Sequence, residues 1–359
     1  MTASGDSREI TGAEVRTALL KPDDDSATPL VLRNCTVTGR LDLSNTRVDA
    51  PLAFVDCTFD APLLLDGADL RSLSFTRCSL AGLSGNGLRM RRDFVIDEST
   101  ITGALRTVGS THHTAAMWLC EAEIGGRLLV RASTIDGRGG RSLQGDRLRI
   151  GGNLRFLNGS HAKGELRLLS TQIAGSIDIV SSTVTADHET AIDLAEARLG
   201  GSIYIVADDR YGTATTVDGV IVLSDVTVGA MLRIKGATLT GRSRDANGPF
   251  ERSVRHARNV AISAPRCEVG DDLMIDGDCT INGALLWPYA NVLGDVVLNG
   301  LAVDNPGDRS LDFGGATIKG ALIGRRMAVQ GTVWLAGAKV GASLAVEGST
   351  FTAPNGKTT

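Results

Sequence analysis

The chain has 359 residues, 43 of them glycine, few aromatics and a formal net charge of −4. That balance provides neither the basic footprint of a nucleic-acid binder nor the dense acidic surface of a DNA mimic. No run of eighteen apolar residues occurs and none follows Met1, so neither a membrane-spanning helix nor a standard export signal is expected, and the expected location is cytoplasmic.

Residues 1–9 are polar and read as a loose end. Thr11-Gly-Ala-Glu14 matches a capping box, and Val15, Ala18 and Leu19 follow at helical spacing. A short helix over about residues 12–20 is therefore predicted, closing residues 1–29 as a tail and cap. From Leu32, alternate steps of five and six residues land on Val37, Leu43, Val48, Phe54, Phe59, Leu65 and Leu70; steps of five then reach Phe75 and Leu80. Two residues before each landing stands Leu or a small residue such as Cys35, Thr46, Cys57, Ala68 or Cys78. Neither a helical period nor simple strand alternation sustains this pattern, whereas a coil with four short faces does. About 26 segments of roughly eleven residues follow, two to a coil. The predicted fold is an all-β, right-handed quadrilateral parallel β-helix of about 13 coils over residues 30–352, near 60 Å long. Residues 353–359 form a polar tail.

Cys35, Cys57, Cys78, Cys267 and Cys279 fall in the small inward slot and are predicted to fill the core. No C-x-x-C pair is present, so no metal or cofactor is assigned. Cys120 lies outside the slot and is the candidate exposed thiol.

Cys35-Thr36-Val37, Ala68-Asp69-Leu70 and Cys78-Ser79-Leu80 resemble pentapeptide-repeat proteins. Gly39-Arg-Leu-Asp-Leu-Ser44 and Ile124-Gly-Gly-Arg-Leu-Leu129 are similar to long bacterial β-helical proteins of actinobacteria, often labelled membrane-associated oxidoreductases. No dinucleotide motif here supports that label. The resemblance spans nearly all of residues 30–352 and implies the fold. The six-residue steps and Leu-x-Leu pairs depart from the pentapeptide pattern, and with the missing acidic face they count against a DNA-mimicking, topoisomerase-interacting role.

Lengthened segments interrupt the repeat near 138–142, 187–190, 207–219, 240–259 and 305–310. All begin in odd-numbered segments, which places them on one long edge. A core column read as Val48, Leu70, Met90, His112, Ile135, His161, Val184, Arg210, Leu239 puts His112, His161 and Arg210 in inward slots beneath that edge. With His188, Tyr211 and the basic stretch Arg252, Arg255, His256, these residues are the ligand-binding candidates, and His113 lies beside the same edge. The leading expectation is a non-catalytic scaffold or binding module presenting this edge to a protein or small ligand. The alternative is an enzyme using His, Arg and Asp side chains in a groove there. Trp287 falls in a core slot, with Tyr289 on a corner. No C-terminal helix caps the last coil, so pairing of two chains through that coil, or plugging by Phe351 and the tail, is expected.

Overall fold

The computed structural model describes residues 8–20, 28–106, 113–243, 259–276 and 278–352, without the side chains of 187–189, Ser243 and Gly307. The chain winds through four flat faces, numbered here I to IV in the order each coil visits them. Face I begins with Leu30–Arg33 and face II with Cys35–Thr38, while face III includes Leu63–Leu64 and face IV begins with Arg47–Val48. Face I is a 13-stranded sheet, so thirteen coils are counted from it, and face IV is 12-stranded. Faces II and III form one 22-stranded sheet, because strands such as Thr183–Asp193 and Ala302–Asp312 run round the corner between them.

Successive coils pair in parallel and in register. On face II, Ile101 lies beside Ile135, which lies beside Ala162, and then Val184, Val217 and Leu239 follow. All are buried, and each alternates with an outward neighbour. One continuous core results, in which Phe75 stacks on Phe54 at 5.4 Å and Trp287 on Phe313 at 5.7 Å. Large residues sit over small ones: an added Cβ on Gly85 would come within 3.2 Å of the Leu119 side chain in the next coil. Cys35, Cys57, Cys78, Cys267 and Cys279 are all buried. Above Cys78 the same slot holds Ser99, Ser133 and Ser160, whose hydroxyls accept from the backbone N–H of the coil below, Cys78 N to Ser99 Oγ at 2.9 Å and Ser99 N to Ser133 Oγ at 2.9 Å. Every buried polar slot in this run is thereby satisfied.

Two of the four corners turn through left-handed backbone. Asp56, Arg77, Glu98 and Ala132 do so after face I, and Glu121, Arg147, Ser170, Glu196, Asp225, Arg266 and Tyr289 after face III, all with φ between 47° and 60°. In-register stacking repeats the conformation coil after coil, so the local cost of a non-glycine residue is borne by the ladder.

The first strand, Arg8–Thr11, pairs with Cys35–Thr38, so Arg8 and Glu9 belong to an added rung and not to a loose end. The helix Gly12–Leu19 follows with both capping-box bonds made between Thr11 and Glu14. It buries Val15, and its Gly12 lies so near the Arg40 carbonyl oxygen that a Cβ there would come within 2.3 Å. The opposite end is bare: Leu344, Val346 and Phe351 of the last coil are 54%, 40% and 46% exposed.

Gly164 turns the corner between faces II and III at φ 112°, and a Cβ there would approach the Gly140 carbonyl oxygen to 2.1 Å. Gly164→Ala is expected to cost about 3 kcal/mol or more, since both conformation and space oppose it. Gly139→Ala, with open space around it, should cost about 1 kcal/mol. Urea unfolding midpoints of the two variants check the order.

Candidate binding edge

The corner between faces II and III carries most of the length variation. Coils 4, 5, 7, 9 and 11 cross it through residues 103–114, 137–140, 186–190, 241–258 and 305–308. Coils 6, 8, 10 and 12 cross it tightly, through Gly164, Gly219, Gly283 and Gly331, with φ from 112° to 127°. A Cβ on each of these glycines would strike the preceding coil: Gly140 O for Gly164, Ala191 for Gly219, Ala261 and Gly241 for Gly283, and Asn305 O and Asp308 O for Gly331. A loop is wider than the roughly 4.8 Å between coils, so it needs a slim neighbour to stack on. From coil 5 upward loop and glycine therefore alternate, and the loops stand about two coils apart.

Face II carries two outward rows. The one farther from this edge runs Thr36, Thr58, Ser79, Thr100, Thr134, His161, Thr183, Thr216, Thr238 and Thr280. The one beside the edge runs Thr102, Asp136, Lys163, Thr185, Asp218, Thr240, Asn282 and Asp304, and carries charge. On the face III side, outward residues of coils 5 to 7 form an ion-paired network. Arg141 Nε donates to Glu165 Oε2 at 2.6 Å and its Nη1 to Gln144 Oε1 at 2.5 Å. Arg167 reaches Asp193 Oδ2 at 2.7 Å and Asp146 Oδ1 at 3.1 Å. Asp193 is 1% exposed, and burial pushes its carboxyl above the ordinary 3.8, outweighing the Ala195 N–H bond and Arg167. Higher up, outward Val220, Val222, Val260, Ala284 and Leu286 form a second apolar cluster outside the tube, all buried. At the foot of the longest insertion, Arg242 pairs with Asp218 at 2.7 Å, while the buried atoms Asp218 Oδ1, Arg242 Nε and Asn259 Oδ1 have no hydrogen-bond partner among the described residues.

The residues singled out in the sequence are not brought together. His161 is not in a core slot: Ala162 is, and His161 points outward, half-buried, with Nε2 3.1 Å from Thr185 Oγ1. Burial and then Lys163 hold its imidazole below the ordinary value. Arg210 is likewise not inward. It lies in a short 3-10 turn, Asp209–Tyr211, at the corner between faces I and II, its side chain 82% exposed and paired to Asp208 at 2.5 Å. Its guanidinium lies 5.9 Å from the centre of the half-buried Tyr211 ring. The 207–214 loop is therefore one corner away from the others. His113 is exposed at the edge itself. His112, Arg252, Arg255, His256 and the side chain of His188 lie outside the described residues.

The misplacements have separate causes. The insertion at 103–114, read as one regular segment, moves the column by half a coil, from face IV to face II. His161 is then displaced by one extra residue at the Asn158-Gly159 corner, since Arg131 pairs with Leu157 but Ile135 with Ala162, and Arg210 by the loop that holds the Asp209–Tyr211 turn. Met90 is followed on face IV by Ile124 and Ile150, and not by His112 and Ile135. Leu105 pairing antiparallel with Ala115 is the sign of that insertion, and Ala104-Leu-Arg-Thr-Val108 offers no break in hydropathy to announce it. Sequence reasoning also missed the Arg141, Glu165, Arg167, Asp193 network, whose members come from three coils.

Cys120 is half-buried, and burial pushes its thiol up. Trp287 is fully buried and Tyr289 is 70% exposed. Among the described residues no cluster of His, Cys, Asp and Glu is placed to hold a metal ion, and no helix is long and apolar enough to cross a membrane. Compared with family models, curated proteins and solved structures, the chain has no match.

The Asp193 shift predicts a pH dependence. With its folded pKa raised, Asp193 contributes stability that is fully present below about its ordinary 3.8 and is lost as pH rises through the folded value. The melting temperature of the wild type minus that of Asp193→Asn should therefore be larger at pH 4 than at pH 7. A flat or reversed difference rules this out.

Proposed function

We propose that this chain is a β-helical scaffold whose corner between faces II and III binds a protein partner. The observation that supports this best is the alternation of loop-bearing and glycine-tight coils along one edge. Stability asks for tight corners in every coil, whereas a spaced row of loops gives a partner several separate contacts over a rigid base. The outward row beside the loops, with Asp136, Lys163, Asp218 and Asp304, suits polar contacts to a partner. A groove enzyme on the same edge is the second reading, and the observation that favours it is the raised pKa of Asp193 beside Glu165 and Asp146. Against it, Asp193 is almost wholly covered and Arg167 is bonded to it.

The scaffold reading also assigns the bare last coil. Leu344, Val346 and Phe351 stand in columns that in every lower coil are covered by another coil. A second copy presents the same surface, and a two-fold axis would pair the two open edges.

Replacing 137–140 and 305–308 with tight glycine corners should leave the melting temperature within a few degrees and abolish photo-crosslinking to a partner from a probe at His113. Equal crosslinking by the shortened protein would remove the binding-edge reading; substrate turnover lost in Asp193→Asn with partner binding kept would favour the enzyme. For the open end, Leu344→Asp should shift a dimeric light-scattering mass to that of one chain, 37.6 kDa. A wild type of that mass across micromolar concentrations disposes of the pairing.

A further inference from the structure

Diagonally opposite the looped edge, the corner between faces IV and I changes character along the stack. Coils 2 and 3 turn it with Arg71 and with Arg91-Arg92-Asp93, whereas coil 4 turns it with Gly125-Gly126. The bare glycines beside the arginines leave a recess of about 540 Å³, lined by Arg71, Arg91, Arg92, Asp93, Gly125 and Gly126. The glycines are required there, because a Cβ on Gly126 would come within 2.2 Å of Asp93 Oδ1 and one on Gly125 within 2.7 Å of the Arg91 carbonyl oxygen. Gly125 also lines a second recess, of about 530 Å³, along face IV, which Glu123, Arg149 and Arg198 border, Glu123 being paired with Arg149 at 2.8 Å.

The acids nearby are already engaged. Asp93 accepts from Arg127 Nε at 2.9 Å and from its backbone N–H at 3.0 Å. Asp49 accepts from Arg91 at 2.7 Å and from Arg47 at 3.1 Å, and Asp69 lies 3.5 Å from Arg91. Arg47, Arg71, Arg91, Arg92 and Arg127 thus face Asp49, Asp69 and Asp93, a local excess of two positive charges on a chain whose net charge is −4. Arg92 is exposed and makes no ion pair with an acid among the described residues. Excess positive charge gathered around a concave site with room for a ligand is the requirement for holding an oxyanion.

We propose that this recess binds a phosphate-bearing anion, with its phosphate between Arg71, Arg91 and Arg92 and the rest of the ligand lying along the second recess. The chemistry is shared by a free phosphate compound and a lipid headgroup, and the probes distinguish them. Titration calorimetry with sodium tripolyphosphate at low salt would measure the first; co-sedimentation with phosphatidylglycerol vesicles would measure the second.

Replacing Arg71 and Arg92 together by alanine should weaken whichever probe binds by about tenfold or more, as expected for lost charged hydrogen bonds. Raising salt should weaken binding by the wild type. The melting temperature should stay within a few degrees, and Arg233→Ala, on face I, should bind as the wild type does. Loss of tripolyphosphate binding assigns a free anion, and loss of vesicle binding alone assigns a headgroup. Failure of the wild type to bind either probe, or equal binding by the double variant, overturns the proposal. Gly126→Gln, which fills the recess and adds no charge, gives a second reading: if it folds and binds as the wild type does, the site is wrong.

Discussion

In-register parallel stacking is the constraint on which the remaining structure depends. Each face of a coil takes its hydrogen bonds from the coil before and offers them to the coil after, at a spacing of about 4.8 Å. A side chain therefore has two neighbours of its own column, one above and one below, and its size is judged against theirs. Leu119 fits because Gly85 is beneath it, and Trp287 because Ala264 is. The serine slots of coils 4 to 6 follow the same rule: each hydroxyl accepts from the backbone N–H of the coil below, and the N–H groups of Ser99 and Ser133 donate in turn to the hydroxyl above. Left-handed corners at Arg77, Glu121 or Tyr289 persist because the stack imposes the conformation on every member.

The same constraint limits where the chain can carry anything else. An insertion leaves the tube at a corner, since a face has no spare backbone, and it cannot be repeated in adjacent coils without crowding. Coils 4 and 5 are the one adjacent pair to carry insertions, and the second of them is short. Above them each loop rests on a glycine. At the diagonal corner stacking has the opposite effect. There Gly125, Gly151, Gly200, Gly229 and Gly270 turn above carbonyl oxygens of the preceding coil that a Cβ would strike, so the corner stays bare for most of its length and the arginines of coils 2 and 3 end at its first glycine.

Charge is distributed by the ladder too. Arg77 pairs with Asp56, Arg131 with Asp97, Arg155 with Asp178 and Arg266 with Asp225, each across one rung. The exposed pairs, Arg77–Asp56 and Arg266–Asp225, contribute roughly 0–1 kcal/mol each, whereas Asp97 and Asp178 are buried. All four act on register, because a one-residue slip would part each pair and turn the core outward. The network around Arg167 differs in being covered, and there a lost partner leaves a buried charge uncompensated.

Much of the fold was legible in the sequence. The five- and six-residue steps, the capping box at Thr11, the small slots filled by cysteine and the core position of Trp287 all follow from side-chain size at short range, where neighbours in sequence are neighbours on a face. What joins residues of different coils was not legible. The position of His161 turned on one extra residue at the Asn158-Gly159 corner, since a shift of one residue exchanges the inside of a strand for its outside. The Arg141 to Asp193 network and the arginine recess draw on residues twenty to fifty positions apart, roughly one to two coils in most of this chain. Sequence by itself determined that this chain is a stacked coil. Tertiary structure decided which residues share an edge, because register across coils depends on the summed length of every loop between them.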